Sequence, residues 1–163
     1  MEFKTTGKQR LKNDVPYSPW EPFWKQKSLR EMTRWEWELL CHGCGKCCLY
    51  KLQDKKTGEV QYTNVCCHLF CTQTCRCSSY LTRHHLVPTC IILTPTRVEQ
   101  FSWLPKMCAY RLLYEGKDLP WWHHLVSGDP DLIHRLGFSV KEKVISEKHI
   151  HPLQLRKYIV DWE

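Results

Sequence analysis

Apolar and polar residues follow short periodic patterns along this chain, and each pattern predicts a short element. The clearest helix signal comes from Ser28-x-x-Glu31 and Thr33-x-x-Glu36, which both have the spacing of a capping box. They predict a helix that begins near residue 28 or 33, continues to residue 40 and ends near Gly43, because glycine accommodates a positive φ. The predicted buried face contains Trp35, Leu39 and Leu40.

A β-hairpin is predicted from two strands, residues 49–53 and 59–64, on either side of the turn-rich sequence Asp-Lys-Lys-Thr-Gly. If this loop is centred near Lys56, residue 48 lies opposite residue 64. The hairpin then brings together two pairs of cysteines that are distant in sequence. These pairs are Cys47 with Cys48, and Cys66 with Cys67.

Weaker signals predict the elements of the second half. Prolines and capping residues open three short helices, near residues 95–101, 105–115 and 152–159. A strand is predicted at residues 139–145, and residues 66–77 are predicted to be irregular. Together the elements indicate a small, loop-rich α+β single domain, with several short helices and a β-hairpin around a cysteine-rich metal centre.

The N-terminal residues differ in composition from the rest. Residues 1–14 are polar and basic and predict a disordered tail, and the prolines and aromatic residues that follow predict an extended segment. We therefore divide the chain into a basic, proline- and aromatic-containing extension, residues 1–22, and a cysteine-rich metal-binding domain, residues 23–163. No secretory signal and no run of about 18 apolar residues is recognisable, so we expect a cytoplasmic protein without a membrane partner.

Cysteine usage indicates the chemistry. The chain has 11 cysteines in 163 residues, an odd number that cannot form a fully paired disulfide framework. In a reducing compartment, clustered cysteines bind metal or carry out redox reactions. Glycines allow the tight turn that points neighbouring sulfurs at one ion, so a cysteine run with interspersed glycines predicts a site with thiolate ligands. That run is Cys41-His42-Gly43-Cys44-Gly45-Lys46-Cys47-Cys48.

Sulfur ligands suit both zinc and iron. Zinc forms tetrahedral all-sulfur sites without a redox partner. The spacing of Cys41, Cys44 and Cys47 also matches the first three ligands of a bacterial ferredoxin run, but Lys51 occupies the fourth position. A remote cysteine would therefore have to complete an iron–sulfur cluster. Further candidate ligands are Cys67, Cys75, Cys77, Cys90 and Cys108.

The formal net charge of +7 does not by itself indicate nucleic-acid binding. Four thiolates around a divalent ion carry a net charge of −2, so two such sites would reduce +7 to +3. Lysine and arginine are also spread along the chain instead of being concentrated in one run. We therefore expect a metal ion as partner and no nucleic acid, and we predict no particular protein partner.

Several motifs together resemble one family. They run from Glu36-Trp37-Glu38 and the cysteine run through Tyr62-Thr63-Asn64-Val65-x-Cys67, Thr74-Cys75-Arg76-Cys77 and Pro88-x-Cys90. They continue through Trp103-Leu104-Pro105-x-x-Cys108-Ala109-Tyr110-Arg111 to Glu115-Gly116-x-Asp118-Leu119-Pro120-x-Trp122-His123. These stretches are similar to the YcgN family of bacterial proteins of unassigned function. That family belongs to a wider YkgJ-like CxxCxxCC group, described as zinc- or iron-chelating.

The resemblance implies a set of family cysteines. Cys66 and Cys71 fall outside that set, and we interpret them as spare thiols. His42 and Thr89 stand where aspartate is usual in the family, so the family's carboxylates are absent at these positions. The implied metal ligands are Cys41, Cys44, Cys47, Cys48, Cys67, Cys75, Cys77, Cys90 and Cys108.

Three side chains near the motifs have competing interpretations. His123 is a candidate ligand or proton carrier, against a structural histidine held by hydrogen bonds at a turn. His42 is a weaker candidate ligand inside the cysteine run. Arg76 lies between Cys75 and Cys77, where a cation would offset thiolate charge and donate hydrogen bonds to sulfur.

Three functional hypotheses follow. The first is a cytoplasmic zinc- or iron-chelating protein with one or two thiolate sites. The second is an iron–sulfur redox protein or enzyme. For that hypothesis the sequence offers no nucleophile–base pair, phosphate loop or H-E-x-x-H motif from which a reaction can be named. The third is an adaptor for nucleic acid or protein, built like a zinc module.

Overall fold

The structure is a computed structural model that describes residues 21–162. The predicted tail, residues 1–14, lies outside the described residues, as does nearly all of the predicted extension, residues 1–22. The end of the segment predicted to be extended forms a helical turn instead. In this turn the rings of Phe23 and Trp24 meet edge to face at 5.3 Å.

The described residues form short helices and strands, so the fold is a loop-rich α+β domain, as predicted. The α-helices are α1 (Phe23–Gln26), α2 (Arg34–Leu39), α3 (Arg83–Leu86), α4 (Ala109–Tyr114), α5 (His124–Ser127) and α6 (Leu132–Arg135). The strands are β1 (Leu49–Gln53), β2 (Val60–Cys66), β3 (Phe70–Cys71), β4 (Arg76–Cys77) and β5 (Ile145–Ser146). The 3₁₀ helices are Lys46–Cys48, Val98–Gln100, Glu147–His149 and Pro152–Tyr158.

Helix α2 confirms the second capping box. The Thr33 hydroxyl accepts a hydrogen bond from the Glu36 N–H at 3.2 Å, and the Glu36 carboxylate accepts one from the Thr33 N–H at 2.8 Å. The prediction that Trp35 is buried is wrong, because this side chain is 72% exposed. Trp37 and Leu40 are three positions apart and form the buried face. Trp35 is two positions from Trp37 and therefore lies on the opposite side of the helix.

The hairpin of β1 and β2 forms as predicted, although its register differs. Gln53 pairs with Val60, but Leu49 pairs with Cys66, because a bulge inserts extra residues into β2. Residue 48 therefore lies beside Cys67 and not opposite residue 64. The predicted approach of the cysteines is confirmed, since the Cys67 N–H donates to the carbonyl of Cys48 at 3.0 Å.

The predicted strand at residues 139–145 is wrong except at its end. Strand β5 contains only the last of these residues and pairs in parallel with the end of β2. Before it, the chain turns, and the Val140 N–H donates to the carbonyl of Cys44 at 2.9 Å. The segment therefore packs against the cysteine run instead of extending the sheet. The helix predicted at residues 152–159 is a 3₁₀ helix, and the chain then bonds to β2 through Val160 N and Tyr62 O.

Two of the short predicted elements start later than expected. The helix predicted at residues 95–101 is reduced to a 3₁₀ turn, Val98–Gln100. The helix predicted at residues 105–115 begins only at Ala109, because the Cys108 N–H first closes a turn onto Pro105. Residues 66–77, predicted to be irregular, contain the small antiparallel pair of β3 and β4.

The cysteine run lies between two hydrophobic clusters. Cys108 is part of the first cluster, and Cys41 packs against it. Cys75 is part of the second cluster, and Cys48 packs against it. The first cluster includes Trp37, Leu40, Leu104, Tyr110 and Leu119, and the second includes Leu49, Cys66, Phe70 and Val140. Across residues 21–162, every helix is too short or too polar to cross a lipid bilayer.

Candidate metal centre

The cysteine run is tightly curled by its glycines. Gly43 and Gly45 have φ angles of 75° and 77°, in the left-handed region that glycine tolerates. A Cβ on Gly45 would lie 2.6 Å from the Phe70 ring, 2.7 Å from a Val140 methyl group and 2.8 Å from the sulfur of Cys75. The loop backbone thus touches the second hydrophobic cluster, and a side chain at Gly45 does not fit.

Three cysteines of this loop and Cys108, which precedes α4, influence one another electrostatically, and we call them the first thiol group. Burial raises the pKa of the Cys44 thiol, and the neighbouring thiols of Cys47, Cys108 and Cys41 raise it further. Burial likewise raises the pKa of Cys108 to about 12, with added repulsion from Cys41 and Cys47. Each member therefore lies within electrostatic reach of other members. The first thiol group is Cys41, Cys44, Cys47 and Cys108.

A second thiol group forms at the base of the hairpin. Burial raises the pKa of Cys67, and the thiols of Cys90 and Cys77 raise it further. Cys48 interacts electrostatically with Cys77 and Cys90 as well. The members come from three separate segments: the end of the cysteine run, residues 67–77, and the loop after α3. The second thiol group is Cys48, Cys67, Cys77 and Cys90.

Adjacent Cys47 and Cys48 join the two groups. A hydrogen bond between their thiols lowers the pKa of Cys47 to about 6 and raises that of Cys48. Cys47 is also the exposed cysteine of the run. The hydrogen bond from Cys48 therefore favours ionisation of the Cys47 thiol.

Three cysteines remain, and Cys75 is linked electrostatically to the first thiol group as its four members are. Cys75 is buried, has a φ of 57°, and lies within electrostatic reach of Cys47 and Cys41. Cys66 is fully buried in the second hydrophobic cluster, and burial raises its pKa to about 11. Cys71 bonds with the nearby Thr74, which lowers its pKa. The interpretation of Cys66 and Cys71 as spare thiols stays a prediction.

Cations surround the thiols, and the sequence interpretation recognised only one of them. Arg76 interacts favourably with Cys41 and Cys75. Arg83 stacks on the Tyr80 ring at 3.7 Å and bonds with the Cys90 thiol, which opposes the rise in pKa that burial causes there.

Lys51 is the second cation that sequence reasoning missed. Its Nζ donates to the carbonyls of Leu49 and Cys47 at 2.7 and 3.1 Å and lies 4.4 Å from the centre of the Trp103 ring. Burial lowers the pKa of Lys51 to about 8, against the opposing effect of the thiols of Cys47, Cys48 and Cys44. Lys51, which stands where a ferredoxin run has its fourth cysteine, thus places a cation beside the thiols.

The donor set fits a thiophilic metal. Burial raises the pKa of most of these thiols because an isolated thiolate is poorly solvated in the protein, and a bound cation reverses that effect. All-sulfur donor sets select zinc or iron–sulfur clusters. When bound, such a metal supplies the positive charge that holds several thiolates together.

The hydrogen bonds of His123 support its structural interpretation, whereas those of His42 involve one ring nitrogen. His123 Nε2 bonds to the carbonyl of Leu40 at 3.0 Å, and its Nδ1 accepts from the Leu125 N–H at 3.1 Å, so both ring nitrogens serve the backbone. His42 Nε2 donates to the carbonyl of Met107 at 3.1 Å, and its ring meets Trp122 edge to face. In the described part of the chain, His42 Nδ1 has no hydrogen-bond partner.

A compact ligand trio was missed by the sequence analysis. Cys67, His68 and Glu147 offer a sulfur, an imidazole nitrogen and a carboxylate oxygen that all lie within 4.8 Å of one another. Among the described residues, no group of three cysteine sulfurs meets this spacing. The adjacency of Cys67 and His68 was a local signal, but Glu147 is remote in sequence and no local pattern indicates it.

Comparison with known proteins identifies the family of this chain. Residues 40–109 match the family described as "CxxCxxCC: Putative zinc- or iron-chelating domain". The chain is 57% identical to a UPF0260 protein of Granulibacter bethesdensis over 141 residues, which cover 86% of this chain and 84% of the relative. This chain belongs to the UPF0260 family. Another UPF0260 protein, from Parvibaculum lavamentivorans, is 51% identical over 142 residues, 87% of this chain and 93% of the relative.

A third UPF0260 relative, from Ectopseudomonas mendocina, is 55% identical over 130 residues, 80% of this chain and 87% of that protein. No solved structure matches the chain. The CxxCxxCC part of the predicted resemblance is therefore confirmed, and the finer YcgN assignment stays a prediction. The matched segment, residues 40–109, contains all eight members of the two thiol groups.

Proposed function

We propose that this UPF0260 protein is a cytoplasmic metal-binding protein that holds zinc or iron through cysteine thiolates. Its metal-binding domain comprises residues 23–163, and residues 1–22 form an extension. The proposed ligands are Cys41, Cys44, Cys47, Cys48, Cys67, Cys75, Cys77, Cys90 and Cys108.

The convergence of the thiols carries this proposal. Electrostatic interactions link eight cysteines from separate segments in two sets of four, and four is the number of thiolates in a closed zinc site or around a cubane iron–sulfur cluster. Cys75 lies beside the first thiol group and is proposed as a ligand that supports or replaces one of its members.

The surrounding cations support the same conclusion. Each site with four thiolates and one divalent ion has a net charge of −2. Lys51 interacts with thiols of both groups, Arg83 with Cys90, and Arg76 with Cys41. The basic residues of this chain are thus used in part to offset anionic centres, which disfavours nucleic acid as a partner.

Metal content of the purified protein tests the proposal. The full chain is purified without a tag under anaerobic conditions, and its zinc, iron and sulfide contents are measured together with a visible spectrum. We expect about two metal equivalents for two four-thiolate sites. Zinc without colour identifies a zinc-handling or structural protein, whereas iron with sulfide and brown colour supports iron–sulfur chemistry. Absence of stoichiometric metal, with unfolding that a chelator does not change, would overturn the proposal.

A further inference from the structure

The trio of Cys67, His68 and Glu147 shares Cys67 with the second thiol group. The side chains of His68 and Glu147 are 34% and 27% exposed, so solvent reaches both of them. The Cys67 N–H donates to the carbonyl of Cys48 at 3.0 Å, and the Cys67 thiol interacts electrostatically with Cys77 and Cys90. One sulfur therefore belongs both to the second thiol group and to a solvent-accessible mixed-ligand trio.

The trio is held in place by its own hydrogen bonds. The Glu147 carboxylate accepts from the His68 N–H at 2.7 Å, from His68 Nδ1 at 2.6 Å and from the Tyr50 hydroxyl. The sulfur of Cys67 accepts from the Leu69 N–H at 3.5 Å. A plain surface ion pair explains the contact between Glu147 and His68, but it does not require a sulfur within 4.8 Å of both.

We propose that Cys67, His68 and Glu147 form an exchange site through which a divalent metal ion enters and leaves the second thiol group. This inference rests on the proposed function. The ion is first held by one thiolate, one imidazole and one carboxylate, with a water molecule in the fourth position. Three protein ligands and an open position characterise zinc sites that take up an outside ligand.

The net charge of each site and the shared ligand Cys67 explain why the ion moves from the trio to the second thiol group. A divalent ion with one thiolate, one carboxylate and a neutral imidazole has no net charge, so the trio holds it less firmly than four thiolates do. Cys67 stays bound during transfer while the thiolates of Cys48, Cys77 and Cys90 replace His68, Glu147 and water. Their protons pass to solvent, no electron moves, and the ion is never fully released.

Isotope exchange in the zinc-loaded full chain tests the inference. The protein is mixed with isotopically enriched Zn²⁺, and replacement is followed by native mass spectrometry. His68→Ala and Glu147→Gln should slow exchange on the order of tenfold, the scale at which groups around a metal alter its binding. The zinc content at equilibrium should stay that of the wild type. His68→Ala leaves the bonds of Glu147 to Tyr50 and to the residue 68 backbone intact, so folding is little disturbed.

Tyr50→Phe is the matched control. It removes a hydrogen bond to Glu147 but keeps all three ligands, so near-wild-type exchange is expected. A second control, Glu59→Gln, changes an exposed carboxylate in the hairpin loop. Wild-type exchange rates in both trio variants would overturn the inference, as would equal slowing in Tyr50→Phe. Loss of zinc content in His68→Ala would also overturn it, because the residue would then be a permanent ligand. A wild-type chain without zinc or other metal would instead refute the proposed function itself.

Discussion

The backbone N–H of Cys67 donates a hydrogen bond of 3.0 Å to the carbonyl oxygen of Cys48. This bond lies at the base of the hairpin, where two distant parts of the cysteine sequence meet. Because side chains alternate between the two faces of a strand, a slip of one residue would turn Cys67 away from Cys48. The second thiol group therefore depends on strand register as much as on cysteine spacing.

Replacing one cysteine in either thiol group should remove the metal of that group alone. Cys108→Ser should lose about one of two metal equivalents, and Cys90→Ser should lose the other, because three thiolates and a hydroxyl bind a soft ion poorly. Metal analysis of the purified variants measures the loss. Cys71→Ser is the control and should keep the wild-type content, since Cys71 bonds with Thr74 and lies apart from both groups. Loss of all metal from either variant would indicate one shared centre.

Local sequence signals predicted the elements that depend on local interactions. The capping box of Thr33 and Glu36 starts α2 as expected, because both partners are three residues apart. The hairpin loop likewise produced β1 and β2. The buried face of α2 was harder to predict, since Trp35 and Trp37 have the same hydrophobicity. Only the packing of Trp37 against Tyr110, with ring centres 4.5 Å apart, decides between them.

Sequence spacing and family resemblance predict nine cysteine ligands as a set, but they do not predict how these cysteines group. Spacing alone leaves open which remote cysteine joins which part of the run. Cys108 interacts electrostatically with Cys41 and Cys44, and its N–H closes a turn onto Pro105 just before α4 begins. No local sequence pattern predicts the hydrogen bonds and ion pairs between polar groups that are far apart in sequence. The bond from Val140 N to Cys44 O and the ion pair of His68 with Glu147 both depend on the completed fold.

Gly45→Ala should destabilise the protein through steric overlap and backbone strain. A Cβ there would lie within 2.8 Å of Phe70, Val140 and the Cys75 sulfur, at a φ of 77°. A left-handed alanine costs about 1–2 kcal/mol, and overpacking costs about 1–3 kcal/mol more. Urea unfolding of the metal-loaded protein measures the loss.

Gly58→Ala provides the matched comparison for this substitution. Gly58 has a φ of 74°, but no atom lies within 4 Å of the Cβ that alanine would add. Only the backbone strain of about 1–2 kcal/mol is expected. Equal destabilisation by the two substitutions would mean that the contacts around Gly45 relax without cost.

Lys51→Met should weaken metal binding while it preserves the fold. The substitution keeps a long side chain against the Trp103 ring but removes the cation that interacts with Cys47, Cys48 and Cys44. Anionic thiolate sites lose a compensating charge, so affinity should fall by roughly tenfold. Competition with a chromophoric chelator measures the change. Lys56→Met, in the exposed hairpin loop, should behave like the wild type. Equal affinities for wild type and Lys51→Met would show that this cation does not support the metal.

Acid should destabilise the fold through two buried histidines. Burial lowers the pKa of His42 to about 3 and that of His123 to about 4. The pKa of histidine in an unfolded chain is about 6.5. Below pH 6.5 the unfolded state binds more protons than the folded state. The contribution of these histidines to the free energy of unfolding is therefore fully present above pH 6.5 and is lost as the pH falls toward 4. Each histidine contributes up to about 1.4 kcal/mol per pH unit in this interval.

His42→Gln isolates one of these contributions. The glutamine amide can still donate to the Met107 carbonyl, as His42 Nε2 does, but it does not titrate. Unfolding free energies are measured at pH 7 and pH 5 for wild type and variant. Protonation of the thiolates weakens metal binding equally in both proteins, so the difference between them reports on His42. The variant should lose about 2 kcal/mol less than the wild type over this range. Gln154→Ala, at an exposed position without a titratable side chain, is the control and should keep the wild-type slope. Parallel slopes for wild type and His42→Gln would mean that His42 is protonated in the folded state without penalty.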